Sequence, residues 1–409
     1  MPADADAPRP FLPYGRQRIE EDDIAAVVDV LRGDFLTTGP TVDAFEDELA
    51  EITGAKFAVS CSSGTAALHM TSLALGLGPG DAIIVPAITF LATANAAPYV
   101  GADVIFADVD PDTGLLTPET LSQALAAAGD SVRAVYPVHI NGQTADMAGI
   151  AAVDGVGELA VVEDACHALG GHHRGGDGEL VPVGSCGLAD MAIFSFHPVK
   201  TVAMGEGGAV TTNDAVLAER LARARNIGMN RDPATFQCPD QAFDANGEAN
   251  PWYYEMPELG FNYRASAIHC ALGFNQLGKL DRFVDARRRL MARYAEALAP
   301  LAPVVRLLPQ VPDCDPAWHL CVALIDFAAA GTDRATVMRE LTARGIGTQV
   351  HYLPVNRQPY YRKRYGETAL AGADAYYEKI LSLPLQVAMT EDDVDYVVTT
   401  LANVLGAGG

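Results

Sequence analysis

Residues 191–211 read Met191-Ala192-Ile193-Phe194-Ser195-Phe196-His197-Pro198-Val199-Lys200-Thr201-Val202-Ala203-Met204-Gly205-Glu206-Gly207-Gly208-Ala209-Val210-Thr211. An apolar run ends at Ser195, a single lysine, Lys200, follows, and a Gly-rich turn leads into a second apolar run. Lysine is strongly hydrated and is seldom set between two buried strands unless its amine has a chemical task. A surface-loop lysine is the competing reading, and these residues alone leave the two evenly matched.

Outward from this stretch the chain alternates. Short β-rich runs occupy 56–60, 82–86, 103–107, 133–138, 159–163, 190–194 and 208–212, and Ala-rich helical segments separate most of them. Runs apolar on both faces predict a mainly parallel sheet covered by helices on each side. Ahead of them, helical spacing at Ile24, Val27, Val28 and Leu31 is broken by residues 34–40 and resumes through Val42, Phe45, Leu49 and Ile52. Residues 1–10 are rich in Ala, Asp and Pro and are expected to be disordered. The stretch from about 232 to 258 is irregular and too long for a simple connection, which marks it as a functional or a mobile loop. A long helix over about 264–298, β-like runs at 318–327 and 346–352, a helix at 333–344, a Tyr/Arg loop at 359–366 and a helix at 391–404 read as a smaller α+β domain. The expected organisation is a tail (1–12), a large α/β domain with an N-terminal arm (13–258) and a small C-terminal domain that includes the linking helix (259–409).

Composition narrows the function. The 409 residues carry a formal net charge of -24, which repels nucleic acid and anionic membranes. No apolar run approaches a membrane span, and Met1 to Asp6 lack the basic and apolar regions of a signal peptide, so a cytoplasmic location is expected. The seven cysteines are scattered and never spaced as Cys-x-x-Cys, against a disulfide framework or a structural zinc site. A metal site from His167, His172 and His173 with Asp164 and Cys166 is poorly spaced, and no metal is expected. With so acidic a chain, any phosphate site must be built locally from backbone N–H groups and a few cations.

In open parallel sheets, ligands bind beyond the carboxyl ends of the strands. After the first run comes Ser62-Ser63-Gly64-Thr65-Ala66, a hydroxyl-bearing turn opening a helix; an ordinary N-cap or an anion site would both look like this. It is not a P-loop, because the Gly-Lys-Ser/Thr ending is missing. After the second comes Thr89-Phe90, an aromatic able to stack on a planar ligand or to fill core. After the fifth comes Asp164, ending a run too apolar to hold a carboxylate without a partner. After the sixth come Ser195 and Lys200. No Gly-x-Ser-x-Gly elbow supports a serine nucleophile. An anion cradle, a stacking aromatic, a buried carboxylate, a hydroxyl and one lysine are the parts that hold pyridoxal 5'-phosphate (PLP).

Six segments carry a family resemblance: residues 35–40, Ser62 to Leu68, Glu163-Asp164-Ala165, Phe194 to Lys200, Gly205-Glu206-Gly207-Gly208 and Leu259-Gly260-Phe261-Asn262-Tyr263-Arg264. They resemble the DegT/DnrJ/EryC1/StrS family of PLP-dependent nucleotide-sugar aminotransferases, and the likeness runs from about Pro13 to Val398. The implied architecture is the PLP-dependent transferase fold type I, a large domain with a mainly parallel seven-stranded sheet plus a smaller α+β C-terminal domain. Pro13 to Gln17, Trp252 to Met256, Gln349 to Pro354 and Gln358 to Tyr361 look most like the PseC branch. Members of that branch aminate C4 of a UDP-linked 4-keto-6-deoxy-N-acetylhexosamine on the way to pseudaminic acid.

The resemblance implies that Lys200 holds the cofactor aldehyde as a Schiff base and shuttles a proton. Asp164 would pair with the ring nitrogen, His167 would lie near the phenolic oxygen and Phe90 would stack on the ring. Ser63, Gly64, Thr65 and Ser195 would hold the phosphate, with Asn262 reaching it from a second subunit. A homodimer with shared active sites, an L-glutamate amino donor and a nucleotide-sugar acceptor follow from the same likeness. His351, Tyr352, Tyr360 and Arg264 are the candidates for the nucleotide sugar. Ala267 and His269 depart from the common family pattern, and residues 175–181 look like a small insertion in a surface turn. The alternatives are an aminotransferase for another keto sugar (C3 or C4), a same-fold PLP sugar dehydratase, or a non-catalytic protein of this fold. Resembling dehydratases replace the lysine by histidine, so Lys200 argues against the second. Joint retention of lysine, aspartate and phosphate turn argues against the third.

Overall fold

The computed structural model describes residues 9–406, so residues 1–8 of the tail expected to be disordered lie outside the described residues. The end of that tail is paired. The Leu12 amide donates to the Gly345 carbonyl at 2.8 Å, and the Gly347 amide donates to the Leu12 carbonyl at 2.7 Å.

Helices α1 (Glu21–Arg32) and α2 (Pro40–Thr53) lead into a seven-stranded sheet. The chain then runs β1 (Phe57–Cys61), α3 (Gly64–Ala74), β2 (Ala82–Pro86), α4 (Leu91–Tyr99), β3 (Asp103–Ala107), α5 (Pro118–Ala128) and β4 (Val132–Val135). Next come α6 (Met147–Ala151), β5 (Ala160–Asp164), a hairpin of β6 (His172–Arg174) and β7 (Leu180–Pro182), β8 (Met191–Ser195), β9 (Gly208–Thr212) and α7 (Ala215–Arg225). The order across the sheet is β1-β9-β8-β5-β4-β2-β3, and only β9 runs antiparallel to its neighbours. No helix lies between β8 and β9, and a strand that returns without a crossover pairs antiparallel. Both faces are covered: Ile83 and Val85 of β2 join the core under α3, α4 and α7, while Ile84 joins the core under α5 and α6. Burial on two sides is why these runs carry so little polarity. The fold is the expected α/β fold type I.

After α8 (Pro239–Ala242) come α9 (Ala267–Leu277), α10 (Leu280–Leu298), β10 (Val305–Leu307), β11 (Cys314–Asp315), β12 (Cys321–Ile325), α11 (Arg334–Ala343), α12 (Pro359–Tyr365), α13 (Ala371–Lys379), β13 (Ile380–Leu383) and α14 (Glu391–Val404). Strands β10, β12 and β13 form a second, antiparallel sheet, and β11 pairs with the β6–β7 hairpin. No helix among the described residues is long and apolar enough to cross a membrane.

Several local readings change. The single helix expected over 264–298 is two, because the backbone leaves helical geometry at Lys279, whose amine is held by Asp22 (2.7 Å) and Asp23 (2.9 Å) of α1. The expected loop at 359–366 is helix α12: Pro359 occupies the first turn, where a missing N–H costs nothing, and Tyr361 and Tyr365 stack at i,i+4. The β-like run at 346–352 makes only single bridges, Ile346 with Leu12 and Gln349 with Ser382. Within 318–327 only 321–325 is strand, since the preceding residues bond to Asn141 and Gly142 instead. Residues 232–258 are internally tied, with buried Glu255 accepting from the Gln237 and Cys238 amides.

Candidate active site

Three strand ends meet at one place. The register sets Gly208 opposite Cys61 on one side and Ser195 on the other, and Asp164 ends the next strand, β5. Gly208 has no room for a side chain, because a Cβ there would lie 2.4 Å from the Ser63 carbonyl. The turn after β1 therefore crosses directly over the first residue of β9. Helix α3 starts at Gly64, with the Ser63 hydroxyl accepting from the Ala66 amide at 3.1 Å. A Cβ on Gly64 would stand 2.9 Å from Ser195 Cβ. The start of an eleven-residue helix is thus packed against Ser195, and its N–H groups and the Ser195 hydroxyl line the same cavity.

That space belongs to a cavity of about 540 Å³ lined by Ser63, Gly64, Thr65, Phe90, Asp164, His167, Ser195, Lys200, His351 and Tyr352. The chain so brings together most of the residues singled out in its sequence. Asp164 is buried and accepts from Thr93 Oγ1 at 2.6 Å and from the Cys166 amide at 3.2 Å. Lys200 is half-buried, and desolvation pulls its amine below the usual lysine range. His167 accepts from the Asn141 amide at Nδ1 (3.3 Å) and lies 3.4 Å from the Tyr352 hydroxyl at Nε2. Burial, reinforced by Lys200, holds it well below the usual histidine range. The same causes pull His351 down to about 3, and its Nδ1 lies 2.8 Å from the Ser382 hydroxyl. Phe90 is 54% exposed at the mouth, 6.0 Å from the Tyr352 ring. Cys61, beside the turn that leads into α3, is buried and its thiol is pushed up to about 12, which leaves it inert.

Three candidates stand elsewhere in the same chain. Arg264 donates to Asn226 at 2.7 Å and lines a separate cleft with Arg223 and Arg225. Asn262 is exposed and bridges to Asn226. Tyr360 lines a groove with Leu91, Asn95 and Tyr99. Tyr14, Thr93, His319 and Gln349 line the main cavity and were not singled out in the sequence. Thr89 and Thr93 did carry a signal, being hydroxyls at i,i+4 beside a predicted strand end. His319 carried none, since it lay inside the run at 318–327 read as strand. Among the described residues no three His, Cys, Asp or Glu side chains are grouped to hold a metal ion.

A buried acceptor, a desolvated amine and a helix start lined by hydroxyls fit PLP: one end takes a phosphate, the other a protonated ring nitrogen, and the lysine an aldehyde. The model of the DegT/DnrJ/EryC1/StrS aminotransferase family matches residues 17–402. The chain belongs to this family. Among solved structures, the Streptococcus pneumoniae protein Spr1654, assigned as a sugar aminotransferase and solved in its PLP form, is 25% identical, with a TM-score of 0.84 over 98% of this chain and 100% of that one. Helicobacter pylori PseC, an aminotransferase of pseudaminic acid biosynthesis, is 26% identical, with a TM-score of 0.85 over 97% and 100%. DesI, solved in the presence of its TDP-sugar product, is 31% identical, with a TM-score of 0.83 over 99% and 95%. As a DegT/DnrJ/EryC1/StrS member, this chain is a PLP-dependent sugar aminotransferase.

Proposed function

We propose that the enzyme transfers an amino group from L-glutamate to C4 of a UDP-linked 4-keto-6-deoxy-N-acetylhexosamine, a step of the kind used toward pseudaminic acid. The observation that carries this reading is that Gln349, Val350, His351, Tyr352 and Tyr14 line the same cavity as Lys200. These are the positions where the sequence most resembles the PseC branch.

PLP supplies the electron sink for moving an amine between carbons. The chain's part is positioning and proton handling. Ser63, Gly64, Thr65 and Ser195 would hold the PLP phosphate at the start of α3. Thr93 and the Cys166 amide hold the Asp164 carboxylate, which would pair with the ring nitrogen. Desolvation disfavours the charged form of Lys200 Nζ, which suits it to serve as the nucleophile and proton carrier of the site. Phe90, at the cavity mouth, would cover the ring.

We further propose a cytoplasmic homodimer in which Asn262 and Arg264 serve the partner's cavity, and a division into domains at about 258. The exposed apolar stretch beside Asn262, with Trp252 at 75% and Leu259 at 74% exposure, supports a covered interface. Incubation with PLP, L-glutamate and the UDP-4-keto sugar should yield the 4-amino sugar and 2-oxoglutarate, read by mass spectrometry and NMR. Turnover of TDP-keto sugars alone, or amination at C3, would overturn this substrate assignment.

A further inference from the structure

Asn141 lies beyond the end of β4 with φ of 65°, the left-handed region that asparagine tolerates better than most residues. Its backbone ties two histidines together, one by its ring and one by its main chain. The N–H donates to His167 Nδ1 at 3.3 Å, and the carbonyl accepts the amides of His319 at 2.9 Å and Leu320 at 3.3 Å. Gly142 completes the junction: its φ is 95°, and a Cβ there would fall 2.1 Å from the Ala317 carbonyl oxygen. The His167 and His319 rings lie 4.3 Å apart, tilted by 47°, and both line the Lys200 cavity.

The proton positions follow from the partners. A backbone N–H can only donate, so His167 Nδ1 is the bare nitrogen and the ring proton sits on Nε2. His319 is 4% exposed, and its Nδ1 is buried with no partner. An orphaned buried N–H is rarer than an orphaned acceptor, which puts the His319 proton on Nε2 as well. The charged and titratable groups around the pair are Lys200, His351, Tyr352 and Arg287. The last is buried and donates to the carbonyls of Trp318 and His319 at 3.5 and 3.0 Å. Burial first, then these neighbours, keep both rings neutral near pH 7.

We infer that His319 is a second hydrogen-bond donor of this site, working beside His167, and that the Asn141 backbone is the clamp that fixes the His167 ring in its Nε2–H form and holds the His319 backbone beside it. Such a pair fits an oxygen that carries negative charge. In a PLP site that is the phenolic oxygen of the ring, and to this extent the inference rests on the cofactor assignment above.

Side-chain 15N spectra of the PLP-free protein, assigned with His167→Gln and His319→Gln, should show the Nε2–H pattern for both rings. An Nδ1–H pattern at either ring overturns the inference. In the PLP-loaded protein, donors to the phenolic oxygen favour its charged form and loosen its hold on the proton of the nitrogen joined to Lys200. His319→Phe, which keeps a ring and removes the donor, should raise the pH midpoint of the visible absorption change by about one unit. An unmoved midpoint overturns the donor role. Asn141→Ala, strained at this φ, should raise the midpoint likewise, whereas Asn141→Gly keeps the backbone and should match wild type. Equal shifts in these two variants overturn the backbone clamp. A wild-type protein without any visible band on PLP addition would speak against the cofactor reading, while the PLP-free spectra still decide the tautomers.

Discussion

Thr93 Oγ1 donates to Asp164 Oδ2 at 2.6 Å and lies 2.8 Å from the Thr89 hydroxyl, so two threonines one helical turn apart form a chain ending on the buried carboxylate. Removing a donor from a buried charged acceptor leaves much of its desolvation cost uncompensated. Thr93→Val should lower kcat by about tenfold to a hundredfold. Thr93→Ser keeps the hydroxyl and should stay within a few-fold of wild type. Equal rates for the valine variant and the parent would show that Asp164 needs no such support.

Lys200→Ala should abolish the visible band of the PLP-loaded protein and lower turnover by about a thousandfold or more. Equilibrium dialysis should still find bound PLP, held by the phosphate end. Asp164→Asn should likewise retain cofactor and lose most turnover, because an unprotonated ring nitrogen is a poor electron sink. Steady-state rates near wild type in either variant would remove that residue from its proposed role.

Gly208→Ala places a methyl group where the Ser63 carbonyl now lies, 2.4 Å away. The turn must move outward and take the start of α3 with it. PLP affinity should fall by about tenfold or more, while inorganic phosphate should lose its ability to compete. Fluorescence titration with each ligand reads this directly. An unchanged pair of affinities would mean that the turn does not hold the phosphate.

His167, His319 and His351 all titrate below their unfolded value of 6.5 in the folded chain. As pH falls through about 6.5 the unfolded chain takes up protons there and the folded chain does not, so stability is full above that pH and declines below it. For His351, pulled down to about 3, the decline continues until about pH 3. At pH 5 each of the three costs up to about 2 kcal/mol. Urea midpoints of wild type and His351→Gln should therefore converge or cross on going from pH 8 to pH 5. Parallel curves would show that His351 is not held neutral by the fold.

Much of this was legible in the chain itself. Strands buried on both faces need uninterrupted apolar runs, so all seven stood out, and the chemistry at their ends came with them in Ser63, Asp164, Ser195 and Lys200. What stayed hidden depends on contacts between distant segments. The helical pattern continues through 278–279, and the break there answers to acidic residues on α1. Helix α12 looked like a loop because its polar Arg and Lys residues masked the i,i+4 tyrosines. His319 acquires its place only when Asn141 and Gly142 meet the backbone at 317–320, an encounter no local spacing announces. Tyr14 similarly reaches the cavity because its carbonyl accepts the Leu385 amide at 3.0 Å.

That last bond has a consequence for synthesis on the ribosome. The segment carrying Leu12 and Tyr14 is made long before its partners at Gly345, Gly347 and Leu385. A nascent chain can close the phosphate turn once β9 has emerged, but the Tyr14 wall waits until Leu385 has left the exit tunnel. Ser63, Asp164, Ser195 and Lys200 are therefore all translated long before the sugar side of the pocket can close.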